Sequence, residues 1–252
     1  MNFHQELSIE SLRYYKQFLG NITSSLDQSF DSTLSDSRAN LLELCYCSAL
    51  SFPSWRKILS TGDGLRCQEI YDEIQSDLTT SIMSAVTGNY RLALMSIRSF
   101  IELSTLFVYY YNHPIEYQWW SNDNHIIKFS ELHSNYFNKY NQLNSNKINE
   151  TLLQEWKRMS KYIHAEFKHY MQSSEDLPFL PMYQKGKLGQ WINHFCKITK
   201  YVNRFFYIVF QRQYFELYER IEFDSSCQII RQNLSDENLF LSVQQDWKNK
   251  HR

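Results

Sequence analysis

The sequence has little glycine and little proline. Six Gly and four Pro in 252 residues fall well below the average usage of about 7% and 5%, so few positions can end a helix or form a tight turn. The sequence also lacks internal repeats and the period-2 alternation of β-strands. We therefore predict an all-α fold, a helical bundle with long antiparallel helices.

Charge excess and paired cysteines are also absent, and the first residues do not show the pattern of a signal peptide. The formal net charge is −1, so no global positive field attracts nucleic acid or an anionic membrane. The five cysteines lack the C-x-x-C spacing of a zinc site, and the first residues lack the zones of a signal peptide. The apolar stretch 92–111 contains Arg98 and Glu102, which a membrane span disfavours. We expect a cytoplasmic protein with reduced thiols that contacts no membrane and needs no metal or cofactor.

Helical periodicity recurs along most of the chain. Loops are predicted at 61–64, 141–149 and 173–189. We expect a single helical domain over 1–252, with 1–60 as a candidate N-terminal appendage and a helical hairpin at 65–111. The predicted helices are 5–19, ending near Gly20, a segment from 36 to just before Pro53, 65–87, 90–111, 126–140, 151–172, 190–223 and 235–247.

The long C-terminal helix at about 190–223 combines basic and aromatic residues. Such a combination can bind a single strand of RNA through phosphate contacts and base stacking. At helical spacing, aromatic residues more often belong to a core or to a seam between two subunits. Because one modest chain has difficulty covering so much apolar surface, we expect a homodimer or a subunit of a larger complex. The aromatic residues are Tyr201, Phe205, Phe206, Tyr207, Phe210, Tyr214 and Phe215.

A polar stripe interrupts the otherwise apolar helix at 90–111. A rotation of 100° per residue puts Arg91, Arg98, Glu102 and Tyr109 within an arc of about 40°. Two hypotheses fit this stripe. Arg98 and Glu102 form an internal ion pair that fixes the helix register, or they form a pocket wall in which Arg98 binds an anion and Glu102 orients it.

The helix at 151–172 places a histidine beside a cationic face. Arg158, Lys161 and Lys168 fill an arc of about 120°, and His164 falls at its edge, next to the apolar face. A half-buried imidazole beside cations favours its neutral, proton-accepting form. His164 could then take a proton from a ribose 2′-OH while Arg158 holds the phosphate. The alternative is a helix edge with a packed histidine and solvated cations.

Arg158 and His164 are separated by five residues, and this spacing resembles the Arg-x(4–6)-His signature of the HEPN superfamily. These all-helical proteins include metal-independent ribonucleases of bacterial toxin–antitoxin and phage-defence systems. The helix that carries Arg98 and Glu102 is similar to the polar-striped helix that faces this signature in several such families. The resemblance covers about 65–170. It implies an RNA-cleaving homodimer, with His164, Arg158 and Lys161 as catalytic residues and Arg98 with Glu102 as a supporting pair.

Two other functions are compatible with the same residues. Met159 follows Arg158 where active members often have a polar residue, which favours a non-catalytic helical partner, such as a scaffold or an antitoxin-like subunit. A sensor that binds an anionic nucleotide between Arg98 and the cationic face is the third hypothesis. We interpret His113, His125 and His133 as solvated loop histidines, because none has a second ligand at helical spacing.

Overall fold

The computed structural model describes residues 3–60, 65–122, 127–164, 181–220, 225–234 and 237–250, with the backbone alone at 3–11, 163–164, 219–220, 237 and 250. Within these ranges the fold is all-α and no strand is present. The elements are α1 (Phe3–Leu34), α2 (Ala39–Ala49), α3 (Ser51–Leu59), α4 (Gln68–Val86), α5 (Tyr90–Asn112), α6 (Pro114–Ser121), α7 (Phe129–Glu131), α8 (Asn141–Ser145), α9 (Ile148–His164), α10 (Lys185–Val209), α11 (Gln211–Arg220), α12 (Ser225–Leu234) and α13 (Glu237–Lys250). Between α7 and α8 the chain forms a π turn (Leu132–Tyr136) and a 3₁₀ turn (Phe137–Lys139).

Helices α4 and α5 form the helical hairpin that the sequence predicts. Asn89 caps α5, because its side chain accepts a hydrogen bond from the backbone N–H of Leu92 at 3.3 Å. Gly88 precedes this cap with a φ of +83°, a conformation that glycine adopts without steric cost. A Cβ at Gly88 would lie 2.6 Å from the carbonyl carbon of Met182. The hairpin turn therefore packs directly against the backbone of Met182, shortly before α10 begins.

Helix α1 corrects the first predicted boundary. The predicted helix 5–19 ends near Gly20, whereas α1 continues through Gly20 to Leu34. A glycine inside a helix costs only about 1 kcal/mol, and α1 gains contacts beyond this point. The hydroxyl of Ser25 donates to the carbonyl of Pro181 at 2.6 Å, and Ser29 accepts from the backbone N–H of Tyr183 at 3.0 Å.

Other predicted boundaries are also wrong. The predicted loop at 141–149 contains α8 and the start of α9, and the predicted helix 126–140 is divided among α7, the π turn and the 3₁₀ turn. Pro53 lies in the first turn of α3. Backbone N–H groups of a first turn have no acceptor within the helix, so proline is tolerated there and does not end the helical segment. The predicted helix 190–223 bends at Phe210 and continues as α11, although no Gly or Pro marks the bend. Helix α10 begins at Lys185, inside the predicted loop at 173–189, and residues 173–180 of that loop lie outside the described residues. The predicted loop at 61–64 lies outside the described residues.

Helix α10 lies at the centre and packs against α2, α5, α9 and α12. Trp55 of α3 donates its indole N–H to Asn203 of α10 at 2.7 Å, and Phe206 of α10 contacts Phe52 and Trp55 with ring centroids 6.0 Å apart. This packing buries most of the aromatic residues that the sequence favours as a seam between subunits. Phe205, Phe206, Tyr207, Phe210, Tyr214 and Phe215 are all buried within one chain.

Helix α5 is the one helix in the described ranges that is long and apolar enough to cross a membrane, by length and composition alone. In its most apolar window, 56% is already buried by the rest of the protein. The helix packs against α4, α9 and α10. Much of its apolar surface therefore packs against other helices of the same chain.

Candidate functional site

The site is built around a carboxylate on the apolar face of α9. Leu152, Glu155 and Met159 recur at helical spacing and are all buried. Glu155 is only 1% exposed, and a buried carboxylate needs partners of opposite charge or hydrogen-bond donors. These partners come from the next turn of α9 and from the side of α10 that faces it.

Three basic side chains contact the Glu155 carboxylate. On Oε1, the Lys197 ammonium lies at 2.7 Å and Nη1 of Arg158 at 3.2 Å. On Oε2, Nδ1 of His194 lies at 3.0 Å. Lys197 and His194 are three residues apart on α10, so both point from one face of that helix towards α9. The cluster therefore fixes the register between the two helices.

The basic side chains determine the charge of Glu155. Burial raises the pKa of this carboxyl, but the hydrogen bonds from His194 and Lys197 and the nearby charge of Arg158 outweigh it and lower the pKa to about 2. Glu155 is therefore ionised throughout the physiological range. One carboxylate thus faces a guanidinium, an ammonium and an imidazole, so basic groups outnumber acidic ones in the cluster.

The ionised carboxylate also orients the ring of His194. A carboxylate only accepts hydrogen bonds, so Nδ1 of His194 donates to Glu155, and Nε2 is the ring nitrogen left for a second partner. The cationic side opens to solvent, because the Arg158 and Lys197 side chains are 52% and 42% exposed. The cluster thus combines an oriented imidazole with two accessible cations, the groups required for phosphate binding and proton transfer.

A second polar cluster lies between α9 and α5. Arg98 and Glu102 form an ion pair at 2.8 Å. The indole N–H of Trp156 donates to the same Glu102 oxygen at 2.6 Å, and Nε of Arg98 donates to the hydroxyl of Ser160 at 3.1 Å. The guanidinium also lies over the Trp156 ring, 5.0 Å from its centroid. The predicted supporting pair therefore joins α5 to α9, with both side chains about one quarter exposed.

Two of the predicted catalytic residues, Arg158 and Lys161, are exposed on α9. Arg158 binds Glu155, and Lys161 is exposed one turn further along α9. His164 is the last residue of α9, and its side chain lies outside the described residues. Sequence reasoning missed His194 altogether. The signal that points to it is Glu155, an acidic residue at an apolar position of a helix, which requires a basic partner on the helix that packs there.

His133 corrects the interpretation of the loop histidines. It is 2% exposed, and Nδ1 lies within hydrogen-bond distance of the Asn149 side chain. Burial lowers the pKa of His133 to about 4. Nearby, a shallow pocket of about 460 Å³ is lined by His133, Ser134, Asn138, Asn144, Asn149, Glu150 and Leu153. His113 is half-buried beside Tyr109, and His125 lies outside the described residues.

Metal ligation has no support in the part of the chain that the structure describes, because no group of three His, Cys, Asp or Glu side chains converges there. The chain matches no protein-family model, no curated protein and no solved structure. The geometry of the Glu155 cluster is therefore the basis for assigning a function.

Proposed function

We propose that the protein binds RNA and cleaves it without a metal ion, and that the Glu155 cluster carries this chemistry. The observation that supports the proposal is the oriented imidazole of His194, held at 3.0 Å by a buried carboxylate beside two solvent-accessible cations. A base that accepts a proton and cations that bind a phosphate are the requirements of metal-independent phosphodiester cleavage.

In the proposed reaction, Nε2 of His194 removes the proton of a ribose 2′-OH. The 2′-oxygen then attacks the phosphorus atom, the bond to the 5′-oxygen breaks, and the products are a 2′,3′-cyclic phosphate and a 5′-hydroxyl end. Arg158, Lys197 and Lys161 bind the phosphate and stabilise the charge that develops on it. We assign the protonation of the departing 5′-oxygen to His164, which is a catalytic residue by the HEPN resemblance.

The cellular setting is part of the same proposal. The resemblance of Arg158 and His164 to the HEPN signature supports a role in a bacterial toxin or phage-defence system. Free thiols at Cys45, Cys47, Cys67, Cys196 and Cys227 support a cytoplasmic location, where cysteines stay reduced.

The test is cleavage of an end-labelled oligoribonucleotide in EDTA by the parent chain and four variants. We expect His194→Ala and Arg158→Ala to lower the rate by at least about 100-fold, the usual effect of losing a general base or an oxyanion contact. The His164→Ala variant tests whether His164, which is catalytic by the HEPN resemblance, contributes in addition to His194. Lys248→Ala, an exposed change on α13, is the matched control and should keep the parental rate.

The substrate supplies a second control. A strand with a single 2′-deoxyribose at the cleavage position lacks the nucleophile, so it should remain intact. Cleavage of that strand, or equal rates for the parent and His194→Ala, would rule out the proposed mechanism.

A non-catalytic helical subunit is the second candidate function, because no other part of the described chain covers an apolar face of α1. Leu12, Tyr15, Phe18 and Leu19 are 42–56% exposed. Their face continues the side of α1 that is buried further along, from Ser25. We propose a second copy of the chain as its occupant, since the same apolar face on two copies can be buried in one symmetric contact.

Light scattering after size exclusion tests this second candidate. We expect a dimer for the parent chain and a monomer for Phe18→Glu, because the charge would be buried at the interface. Leu241→Glu changes an equally exposed apolar residue of α13 and should remain dimeric. A parent chain that is monomeric at every concentration contradicts the homodimer.

A further inference from the structure

Two cysteines from distant parts of the chain lie side by side. Cys45 of α2 and Cys196 of α10 are 151 residues apart in sequence, and their Sγ atoms are 3.5 Å apart. Both are free thiols. Because α2 packs directly against α10, the two sulfur atoms face each other across a helix–helix contact. A disulfide bond measures about 2.05 Å, so the two sulfur atoms must approach by roughly 1.5 Å, through their side chains and the helical turns that carry them.

The two thiols differ in access to solvent. Cys45 is fully buried, whereas Cys196 is partly exposed. A hydrogen bond from the Cys45 thiol lowers the pKa of Cys196, while the same interaction and burial raise the pKa of Cys45. Reactive cysteines combine thiolate character with access to the oxidant. Cys196 meets both conditions, and Cys45 is placed to react with it next.

We propose that Cys45 and Cys196 form an oxidative-modification site, at which a hydroperoxide converts the two thiols into a disulfide. The Cys196 sulfur attacks one peroxide oxygen, so an S–O bond forms and the O–O bond breaks. The released hydroxide takes up the thiol proton as water. The Cys45 sulfur then attacks the Cys196 sulfur, the S–S bond forms, and the second oxygen leaves as water with the Cys45 proton. Two thiols and one hydrogen peroxide thus give one disulfide and two waters.

The location of the pair suggests its consequence. Cys196 lies between His194 and Lys197 on α10, and both of those residues bind Glu155. A disulfide draws this turn of α10 towards α2 and changes how His194 and Lys197 meet α9. We expect oxidation to lower RNA cleavage, a consequence that rests on the proposed function.

The test maps the thiols of the full-length chain after exposure to hydrogen peroxide in modest excess. The remaining thiols are alkylated under denaturing conditions, and the digest is analysed by mass spectrometry. We expect a peptide pair joined through Cys45 and Cys196, two fewer alkylated thiols, and full reversal by dithiothreitol. We also expect oxidation to raise the Tm by roughly 5 °C, because the disulfide closes a long loop of the unfolded chain.

Three variants distinguish a specific disulfide between Cys45 and Cys196 from general oxidation of the cysteines. Cys196→Ala and Cys45→Ala should abolish the cross-linked peptide, and circular dichroism verifies that each variant folds. Cys47→Ala removes an exposed thiol of the same helix and should leave the cross-link intact. Oxidation of Cys196 alone, or a disulfide that involves Cys47, would overturn the proposal. The thiol map does not depend on RNA, so a cross-link in a chain without ribonuclease activity refutes only the proposed function.

Discussion

Glu155 and Trp156 are consecutive residues of α9 that bind two different helices. Glu155 accepts hydrogen bonds from His194 and Lys197 of α10, while Trp156 donates to Glu102 of α5. Since successive positions of a helix differ by about 100°, the two side chains leave α9 in different directions. One short segment therefore fixes α9 against both of its main neighbours.

The first prediction concerns the pH dependence of stability at Glu155. Its pKa is about 2 in the folded chain, against an ordinary value of 4.5. As the pH falls, the Glu155 carboxyl is therefore protonated at a higher pH in the unfolded chain than in the folded chain. The stabilisation from this carboxylate is complete above pH 4.5 and is lost as the pH falls towards 2. We expect the parent to exceed Glu155→Gln by about 3 kcal/mol in free energy of unfolding at pH 7.

Urea unfolding followed by circular dichroism measures this difference at pH 7, 5 and 3.5. The gap between parent and variant should stay constant down to pH 5 and narrow by about 1.4 kcal/mol at pH 3.5. A gap that is independent of pH would show that the carboxylate charge does not stabilise the fold. Glu150→Gln, an exposed change one turn earlier on α9, serves as the control.

The second prediction concerns the contact between Trp156 and Glu102. Trp156→Phe removes the 2.6 Å hydrogen bond to the carboxylate but keeps an aromatic ring to stack on Phe129, whose centroid is 4.7 Å away. Hydrogen bonds to charged groups contribute about 1.5 to 3 kcal/mol, so we expect a loss near 2 kcal/mol in urea unfolding. Trp119→Phe, at an exposed position of α6, should cost far less. Equal losses for the two variants would contradict the assignment.

The third prediction concerns His133, which burial keeps neutral in the folded chain. Its pKa is lowered to about 4, whereas the ordinary value is 6.5. The unfolded chain binds this proton as the pH falls below 6.5, and the folded chain binds it only near 4. Stability contributed by His133 is therefore complete above pH 6.5 and falls by up to about 3 kcal/mol between pH 6.5 and 4.

Unfolding free energies across that pH interval test the assignment to His133. The downward slope should be much smaller in His133→Gln and unchanged in His113→Gln, where His133 is intact. NMR provides a direct check, since the ring protons of His133 should not shift between pH 7 and 5. Titration of those protons near pH 6.5 would contradict the buried, neutral ring.

The fourth prediction compares two glycines. Gly88→Ala places a Cβ 2.6 Å from the Met182 carbonyl carbon at a φ of +83°, so we expect a loss of at least about 2 kcal/mol. Gly20→Ala lies inside α1 with no neighbouring atom within 4 Å of the new Cβ. That change should stabilise the chain by up to about 1 kcal/mol, because alanine favours a helix. Thermal unfolding distinguishes the two, and effects of the same sign would contradict this account.

Local signals predicted the helix content and the α4–α5 hairpin. Asn89 caps α5, and Gly88 with its positive φ makes the turn; both are visible in the sequence. The boundary at Gly20 was wrong because a single glycine costs less than the contacts that α1 gains beyond it. Beyond the break at Phe210 the chain makes long-range contacts, for example between the rings of Phe215 and Trp247 of α13, whose centroids are 5.8 Å apart. No local pattern encodes such a contact.

The candidate site was predictable only in part. Arg98 and Glu102 are four residues apart on one helix, so their pairing follows from local geometry. The link between Glu155 and His194 joins residues that are 39 positions apart. It requires knowing which face of α10 meets α9, and one sequence does not supply that information. A glutamate at an apolar helical position was the one clue.

The central place of α10 has a consequence for how the chain is made. Trp55 emerges from the ribosome long before Asn203, its hydrogen-bond partner 148 residues later, and Phe52 likewise waits for Phe206. Domains fold as units, while exposed apolar surface invites aggregation. The N-terminal third therefore completes its aromatic core only after the last third has been synthesised, and nascent chains that stop before α10 are expected to be substrates for chaperones.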